Sequence, residues 1–538
     1  MGVETEFAVG NPRRDDSLYQ LVDILLEKAR EKLVTLPGFG GTGLFLENGS
    51  RLYIDSGSHP ELCTPECDNP TDVVRYLLAG EQIMVELARS VPTRNPPLRI
   101  YKHNQDYLTQ QAWGCHESYL HRANSDVISS NLISHLVTRI IYTGAGGFDV
   151  FRRGPEFLVS PRSAFLQHVM TQSSTGARGI LHLKDESHAD YGYHRLHLIC
   201  GESLSSQIAS WLKMATTMLV VAMADAGVCA GSELKLADPL LAMMFITEDE
   251  TLETKLLMRN GQKLSALEIQ RRYLGRARRH QHDDFMPDWA EEACDRWEEM
   301  LTLLEGGPDA VANKLDWAIK RKVFMGHMRK RGLTPARLHE WRVALRELQA
   351  ALSVAGQASF PRTTEILNLS SAIGRTAEQT FRKRWGDRFD RDELETVLTL
   401  TEELREIDVR FSQLGRDGLF DQLDEAGALD HHVKGLAGVE AAVKEPPATG
   451  RARLRGVAIR ECFPDRERYR CDWQGIADML EPRMIDLSQP FVTSAEWRHQ
   501  LAKNESPGSS FGDMVYFRHG PLPARRALEQ TFSPPLEY

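Results

Sequence analysis

The sequence predicts an α+β protein, in which an antiparallel sheet keeps one polar face and is covered by helices on the other. Three observations carry that expectation. Segments 3–9, 51–55 and 193–199 alternate polar and apolar residues with the strand period of two. The polar sets on these segments are not generic: they are Glu, Arg, Tyr, Asp and His. Segments 17–34 and 72–89 carry apolar stripes at helical spacing, and 205–426 reads as mainly helical.

In chain order, segment 3–9 comes first. It places Glu4 and Glu6 on one face, with Val3, Thr5, Phe7 and Val9 on the other. Two neighbouring carboxylates repel, so they are either solvated or share a cation. The helix at 17–34 follows, capped by Asp16 or Ser17, with Leu18, Leu21, Val22, Leu25, Leu26, Ala29 and Leu33 as its stripe. The stretch 44–68, LFLENGSRLYIDSGSHPELCTPECD, is the most informative. Asn48-Gly49 is a two-residue hairpin signal of type I′, which needs positive φ at both positions. On the return strand Arg51, Tyr53 and Asp55 share a face opposite Leu52 and Ile54, and His59, Glu61 and Thr64 form a rim just beyond. An amphipathic edge strand with a solvated polar face fits the same alternation.

A second helix is expected at 72–89, then a strand in which His116, Ser118 and Leu120 share a face. Strands at 180–186 and 193–199 follow, and Tyr193, Arg195 and His197 share a face of the latter. The segment 315–324, LDWAIKRKVF, reads as a basic helix with a solvated face. Thr334-Pro335 opens another helix, lined by Leu338, Trp341, Leu345, Leu348 and Leu352. Pro446-Pro447 marks a boundary to a small C-terminal unit, and the stretch after residue 503 is rich in Pro, Gly and Ser.

The 538 residues allow two or three domains with a sizeable core. A net charge of −10 argues against a general nucleic-acid binder, and eight cysteines in so long a chain are no disulfide framework. A reducing cytoplasm is the expected setting. The beginning MGVETEFAVG lacks the basic and apolar regions of a signal peptide. The apolar window 214–230 contains Asp225 and reads as a buried helix, so no membrane span is expected.

Six motifs in order, MGVETEFAV, NGSRLYIDSGSHPE, GCHESYL, KDESHADYGYHRLHLI, LDWAIKRKVF and PPATGRARLRG, make the chain resemble the Pup ligase family and its relatives, the Pup deamidases/depupylases. The resemblance covers about 1–330 and 395–495. It implies a glutamine-synthetase-like fold, a concave antiparallel sheet backed by helices, with a small C-terminal domain. The divisions expected from it are a catalytic domain over 1–430 with a helical insertion at 332–394, a C-terminal domain over 431–503, and a tail over 504–538.

The resemblance further implies ATP and Mg2+ as cofactors. Glu4, Tyr53 and Glu61 match the ligands of one magnesium ion, and Glu6, His116 and His197 those of a second. Arg51, Thr64 and Trp473 match ATP-binding positions, and Asp55 matches the catalytic aspartate. The implied partners are Pup or a Pup-like small protein and lysine-bearing target proteins. A single helix and GFGGTG between the first strand and the hairpin, and the spacing of DSGSHPE, resemble the ligase rather than the depupylase. Two departures stand out: Lys184 replaces a usual arginine and Gln207 a usual acid. The implied reaction is isopeptide ligation through a γ-glutamyl phosphate. The alternatives are a depupylase or deamidase of the same fold, a ligase joining glutamate to a small-molecule amine, and, from a different class, a non-catalytic adaptor that keeps the fold for binding.

Overall fold

The computed structural model describes residues 1–499, apart from 11–17, 42, 56, 92–97, 153, 173–175, 183–187, 189–191, 229, 358–360 and 495. The expected cap at Asp16 or Ser17, Lys184 and the tail 504–538 therefore lie outside the described residues.

The hydrophobic alternation of the N-terminal half builds one nine-stranded sheet. From edge to edge its strands are His168–Thr171, Gly179–His182, His194–Leu198, Cys115–His121, Gly2–Glu6, Pro60–Cys63, Arg51–Ile54, Leu44–Leu46 and Thr35–Pro37. Neighbours run antiparallel except at one edge, where His168–Thr171 lies parallel to Gly179–His182, so the sheet is mixed rather than purely antiparallel. The register decides which side chains meet. Glu4 lies opposite both Cys63 and His116, and Glu6 opposite Glu61. Arg51 lies opposite Cys63, Tyr53 opposite Glu61, and His197 opposite Ser118.

On the reverse face Val3, Cys115, Tyr119, Leu196 and Leu198 enter the main core. The Ser125–Thr138 and Gln207–Asp225 helices cover that face. Gln207–Asp225 is long and apolar enough to cross a membrane, but 83% of its most apolar window is buried inside the protein. One charge also points inward. Glu117 is fully buried and takes Arg139 in a two-pronged pair at 2.8 and 2.5 Å, with the Tyr119 hydroxyl donating to it at 2.7 Å. Such a pair is tolerated because all its oxygens are engaged.

Several local expectations change. The segment 3–9 is not one strand: it breaks at Phe7, and Ala8–Gly10 pairs instead with Arg99–Tyr101 in a separate ribbon. The turn at Asn48-Gly49 is not type I′. Gly49 has φ +85°, while Asn48 is absent from the positive-φ residues. Gly49 N–H donates to Leu46 O at 2.8 Å and Leu46 N–H to Ser50 O at 2.9 Å, the pattern of a turn closed by one left-handed glycine. Asn48 is instead occupied structurally, its amide donating to Ala442 O at 2.9 Å and its carbonyl accepting from Ser50 N–H at 3.0 Å.

The basic stretch 315–324 is not solvated along its length. It forms the first part of the Asp316–Lys330 helix, where Trp317, Ile319 and Phe324 are buried and Lys320 pairs with Asp408 at 2.6 Å. Beyond it, Pro335–Val354 is capped by Thr334 as expected. Its stripe of Leu338, Trp341, Leu345, Leu348 and Leu352 packs with Phe381, Val397 and Leu404, and with Phe148 and Phe324 of the main body, in a second core. At the C-terminal end, the Gly450–Cys462 helix and a four-stranded sheet share a core with Leu36 and Phe45 of the hairpin region. Gln207, the neutral departure, accepts from Val433 N–H at 3.0 Å and so ties the helix to the segment leading to this unit.

Candidate active site

The polar face of the sheet floors a cleft of about 790 Å³. Of the ten residues singled out, Glu4, Glu6, Arg51, Tyr53, Asp55, Glu61, His116, His197 and Trp473 line it. Thr64 does not. Its hydroxyl accepts from Val3 N–H at 3.1 Å, and it borders a smaller adjoining cavity of about 110 Å³ that also touches Glu4, Arg195 and Trp473.

The acids fall into two clusters. Glu4 faces His116 Nδ1 at 3.5 Å and His197 Nε2 at 3.6 Å, and it is also paired with Arg195. Glu6 faces His59 Nδ1 at 3.8 Å, and Asp55 faces the same nitrogen at 3.4 Å. Grouping by contact thus joins Glu4 with His116 and His197, and Glu6 with Asp55 and His59. The sets implied by the resemblance cut across these groups, because Glu6, Glu61 and Tyr53 stand side by side in one cross-strand row. Gly114 permits the crowding: a Cβ there would lie 2.5 Å from His116 Nε2 and 2.8 Å from Glu6 Oε1.

The electrostatics suit a bound cation. Burial, followed by the charges of Glu4 and Glu6, pushes Glu61 well above the usual carboxylate range. Burial also opposes ionisation of Glu4, yet Arg195 and the two histidines hold it well below that range. Burial, with Cys63 and Glu61 beside it, raises the Tyr53 phenol. Burial pushes His197 down to about 4, leaving a neutral imidazole with a lone pair. Asp55 is half-buried, but the hydrogen bonds and charge of His59 outweigh that burial and keep it below its ordinary value. His59 N–H donates to Asp55 Oδ1 at 2.7 Å. Carboxylate and phenol oxygens crowded in this way fit a hard divalent cation such as magnesium, whereas the two imidazoles suit a softer one.

The cleft also holds cations for an anionic ligand. Arg51 lies over the Tyr53 ring at 4.4 Å, and Arg195, Arg162 and Arg178 line the same space. Alternation singled out Arg195, and the rim beyond the hairpin strand included His59, neither with a chemical role. Arg162 and Arg178 were missed, because both precede or lie outside regular strands and no periodicity marks them. Trp473 is held by Arg455, whose guanidinium sits 4.8 Å from the indole, donates to Trp473 O at 3.1 Å, and pairs with Glu66 at 2.6 Å. Phe45 meets the same indole edge-on at 5.3 Å.

The cleft thus combines a cluster of acids able to hold a cation, arginines able to meet an anion, and one tryptophan at its border. The chain matches the family described as Pup-ligase protein over residues 1–354 and 389–477. The interruption, 355–388, lies inside the stretch expected as an insertion. A Pup--protein ligase of Acidimicrobium ferrooxidans is 31% identical over 85% of this chain and 88% of its own. A depupylase of Acidothermus cellulolyticus is 34% identical over 61% of this chain and 66% of its own. In fold, the chain is similar to the ligase PafA in complex with Pup (TM-score 0.68, 22% identity, 99% and 94% coverage) and to PafA in complex with ADP (0.64, 23%, 90% and 93%). The chain belongs to the Pup-ligase family and is an enzyme of the ligase class that defines it.

Proposed function

We propose that this protein is an ATP-dependent ligase that joins the C-terminal glutamate of Pup, or of a Pup-like protein, to lysines of target proteins. The observation that carries the reading is the placement of Asp55: ionised, gripped by His59, and beside a cation-hungry acid cluster on the same face as Arg51. The terminal γ-carboxylate attacks the γ-phosphorus of ATP, ADP leaves, and a γ-glutamyl phosphate remains. The lysine amine then displaces phosphate and forms the isopeptide bond. Magnesium, when bound by Glu4, Glu6, Tyr53 and Glu61 with His116 and His197 nearby, supplies neutralisation of the phosphoryl charge.

Arg51 lies in the same face and is suited to a phosphate oxygen. Trp473 offers a flat wall for the base, and Thr64 holds the floor beside it through Val3. Asp55 receives the lysine proton. Free pKa values near 3.9 and 10.4 differ by about six units, so transfer must accompany attack or follow desolvation of the ammonium. A cytoplasmic setting agrees with the seven described cysteines, all free and buried.

The test mixes enzyme, ATP, magnesium, a Pup ending in glutamate and a lysine-bearing protein. One ADP and one phosphate per isopeptide conjugate are expected. Because a depupylase is among the similar proteins, a purified conjugate is offered in parallel; its cleavage without net conjugation would overturn the ligase direction.

A further inference from the structure

Behind the strand that carries Glu4 and Glu6 lies a small polar space that the ligase chemistry does not use. Thr5 stands between those two acids, so its side chain points to the opposite, buried face of the sheet. There it borders a cavity of about 20 Å³, together with Cys115, Ser203 and Lys213. Three elements converge on this point: Gly2–Glu6, the neighbouring strand Cys115–His121, and the Gln207–Asp225 helix that covers this face. Asn104 fixes Ser203 from both sides, its side-chain carbonyl accepting from Ser203 N–H at 2.7 Å and its amide donating to Ser203 O at 3.0 Å.

Lys213 is the decisive group. It is 1% exposed. Its Nζ donates to the backbone carbonyl of Glu202 at 2.8 Å and to Cys115 Sγ at 3.4 Å, which leaves one of three protons without an acceptor. It forms no ion pair with a carboxylate of a described residue. Glu117, an acid that feels its charge, is already taken by Arg139 in the two-pronged pair. An ammonium out of water without a counter-charge is costly. Two hydroxyls at the same cavity also lack partners: Thr5 Oγ1 and Ser203 Oγ are buried and make no hydrogen bond among the described residues. The other charges at its border, Lys102 and Glu81, are paired with each other. The N–H groups that open the helix are engaged elsewhere, those of Ser205 and Ser206 by Asp316 and that of Gln207 by His431. The donors left for a ligand are therefore side chains.

The space exceeds the roughly 10–15 Å³ that one water needs, so it admits a single small species. A water would satisfy the hydroxyls but leave the lysine charge uncompensated. A monovalent anion does both, since it accepts from hydroxyl and ammonium alike. Carboxylates, phosphate and sulfate are too large. We infer that Lys213, Thr5 and Ser203 form a buried halide site, filled by chloride, that braces the strand carrying Glu4 and Glu6 from behind.

The test uses the full chain with bromide in place of chloride. Crystals grown in sodium bromide should show an anomalous scattering peak within hydrogen-bonding reach of Lys213 Nζ, Thr5 Oγ1 and Ser203 Oγ. In solution, chloride or bromide should raise the melting temperature by about 1–3 °C over gluconate at equal ionic strength. Thr5→Val and Ser203→Ala each remove one donor and should reduce that rise. Lys213→Met removes the cation while keeping much of the volume, and should abolish both the rise and the bromide peak. Circular dichroism checks that each variant folds; if Lys213→Met does not, the Thr5→Val/Ser203→Ala double variant replaces it, with the same loss expected. Water density alone at the cavity in the bromide crystals, no halide-dependent rise in the wild type, or an undiminished rise in the folded variants would overturn the site.

Discussion

At the scale of single residues, the site is a balance of like charges. Glu4, Glu6, Asp55 and Glu61 converge on one cleft, where Glu4 is paired with the Arg195 guanidinium. Such an arrangement costs stability until a cation binds. ATP with magnesium should therefore raise the melting temperature of the wild type, by linkage worth about 2.7 kcal/mol at a hundredfold excess over Kd. Glu61→Gln should be more stable than wild type without ligand, because it removes a repelled carboxylate, and should lose most of the ligand-induced gain. Differential scanning fluorimetry with and without ATP and magnesium checks both signs. Asp55→Asn keeps shape and removes the base. It should bind ATP and modifier yet lose conjugation by roughly 10²–10⁴. Hydroxylamine, largely uncharged at neutral pH, should restore part of the turnover as hydroxamate; near-normal conjugation by the variant would refute the base.

At the scale of elements, the hairpin and the C-terminal unit act on each other. Gly49 needs its left-handed φ of +85°, and a Cβ there would approach Ala452 O and the Pro65 side chain at 3.2 Å. Gly49→Ala should cost about 1–2 kcal/mol in urea unfolding. Glu66 joins the rim of the hairpin to Arg451 and Arg455 at 2.5 and 2.6 Å, and through Arg455 to Trp473. Burial opposes the Glu66 charge, but the two arginines outweigh it and hold Glu66 far below the usual carboxylate range. Since the folded pKa is depressed, the stabilisation is complete above the unfolded value of about 4.3 and is lost as pH falls below it. Tryptophan fluorescence should thus report loosening around Trp473 only in acid. Glu66→Gln should weaken that acid dependence and cost roughly 1–3 kcal/mol, moderated because the side chain is 31% exposed.

At the scale of the whole molecule, the helical region beyond residue 315 is a second core fused to the first, not a loose appendage. Trp341 is fully buried against Phe381 at 5.6 Å and Trp385 at 4.5 Å, and Arg337 stands over both tryptophans. Phe148 and Phe324 carry that core back to the main body. Trp341→Ala should lower stability by about 3–5 kcal/mol while ADP formation persists below the new melting point, since no residue of this core lines the cleft. Loss of ADP formation in a folded Trp341→Ala protein would show that the second core supports the site directly.

Much of the sheet face was legible because strand side chains alternate strictly. Arg51 with Tyr53, Glu4 with Glu6, and His116 and His197 on their own strands follow from a period of two that no tertiary context alters. The ordered motifs added the family, and with it the nine cleft residues already singled out. What the sequence could not supply was register and crossing. Only the pairing of Gly2–Glu6 between Pro60–Cys63 and Cys115–His121 brings Glu4 to His116 and Glu6 to Glu61. Only the fold sets Arg162, Arg178 and Arg455 beside them, because side chains from irregular segments and a remote helix carry no periodic signal of where they point. The turn at Gly49 and the burial of Lys320 were decided the same way. In each, a partner distant in sequence, Ala442 for Asn48 and Asp408 for Lys320, outweighed the local preference.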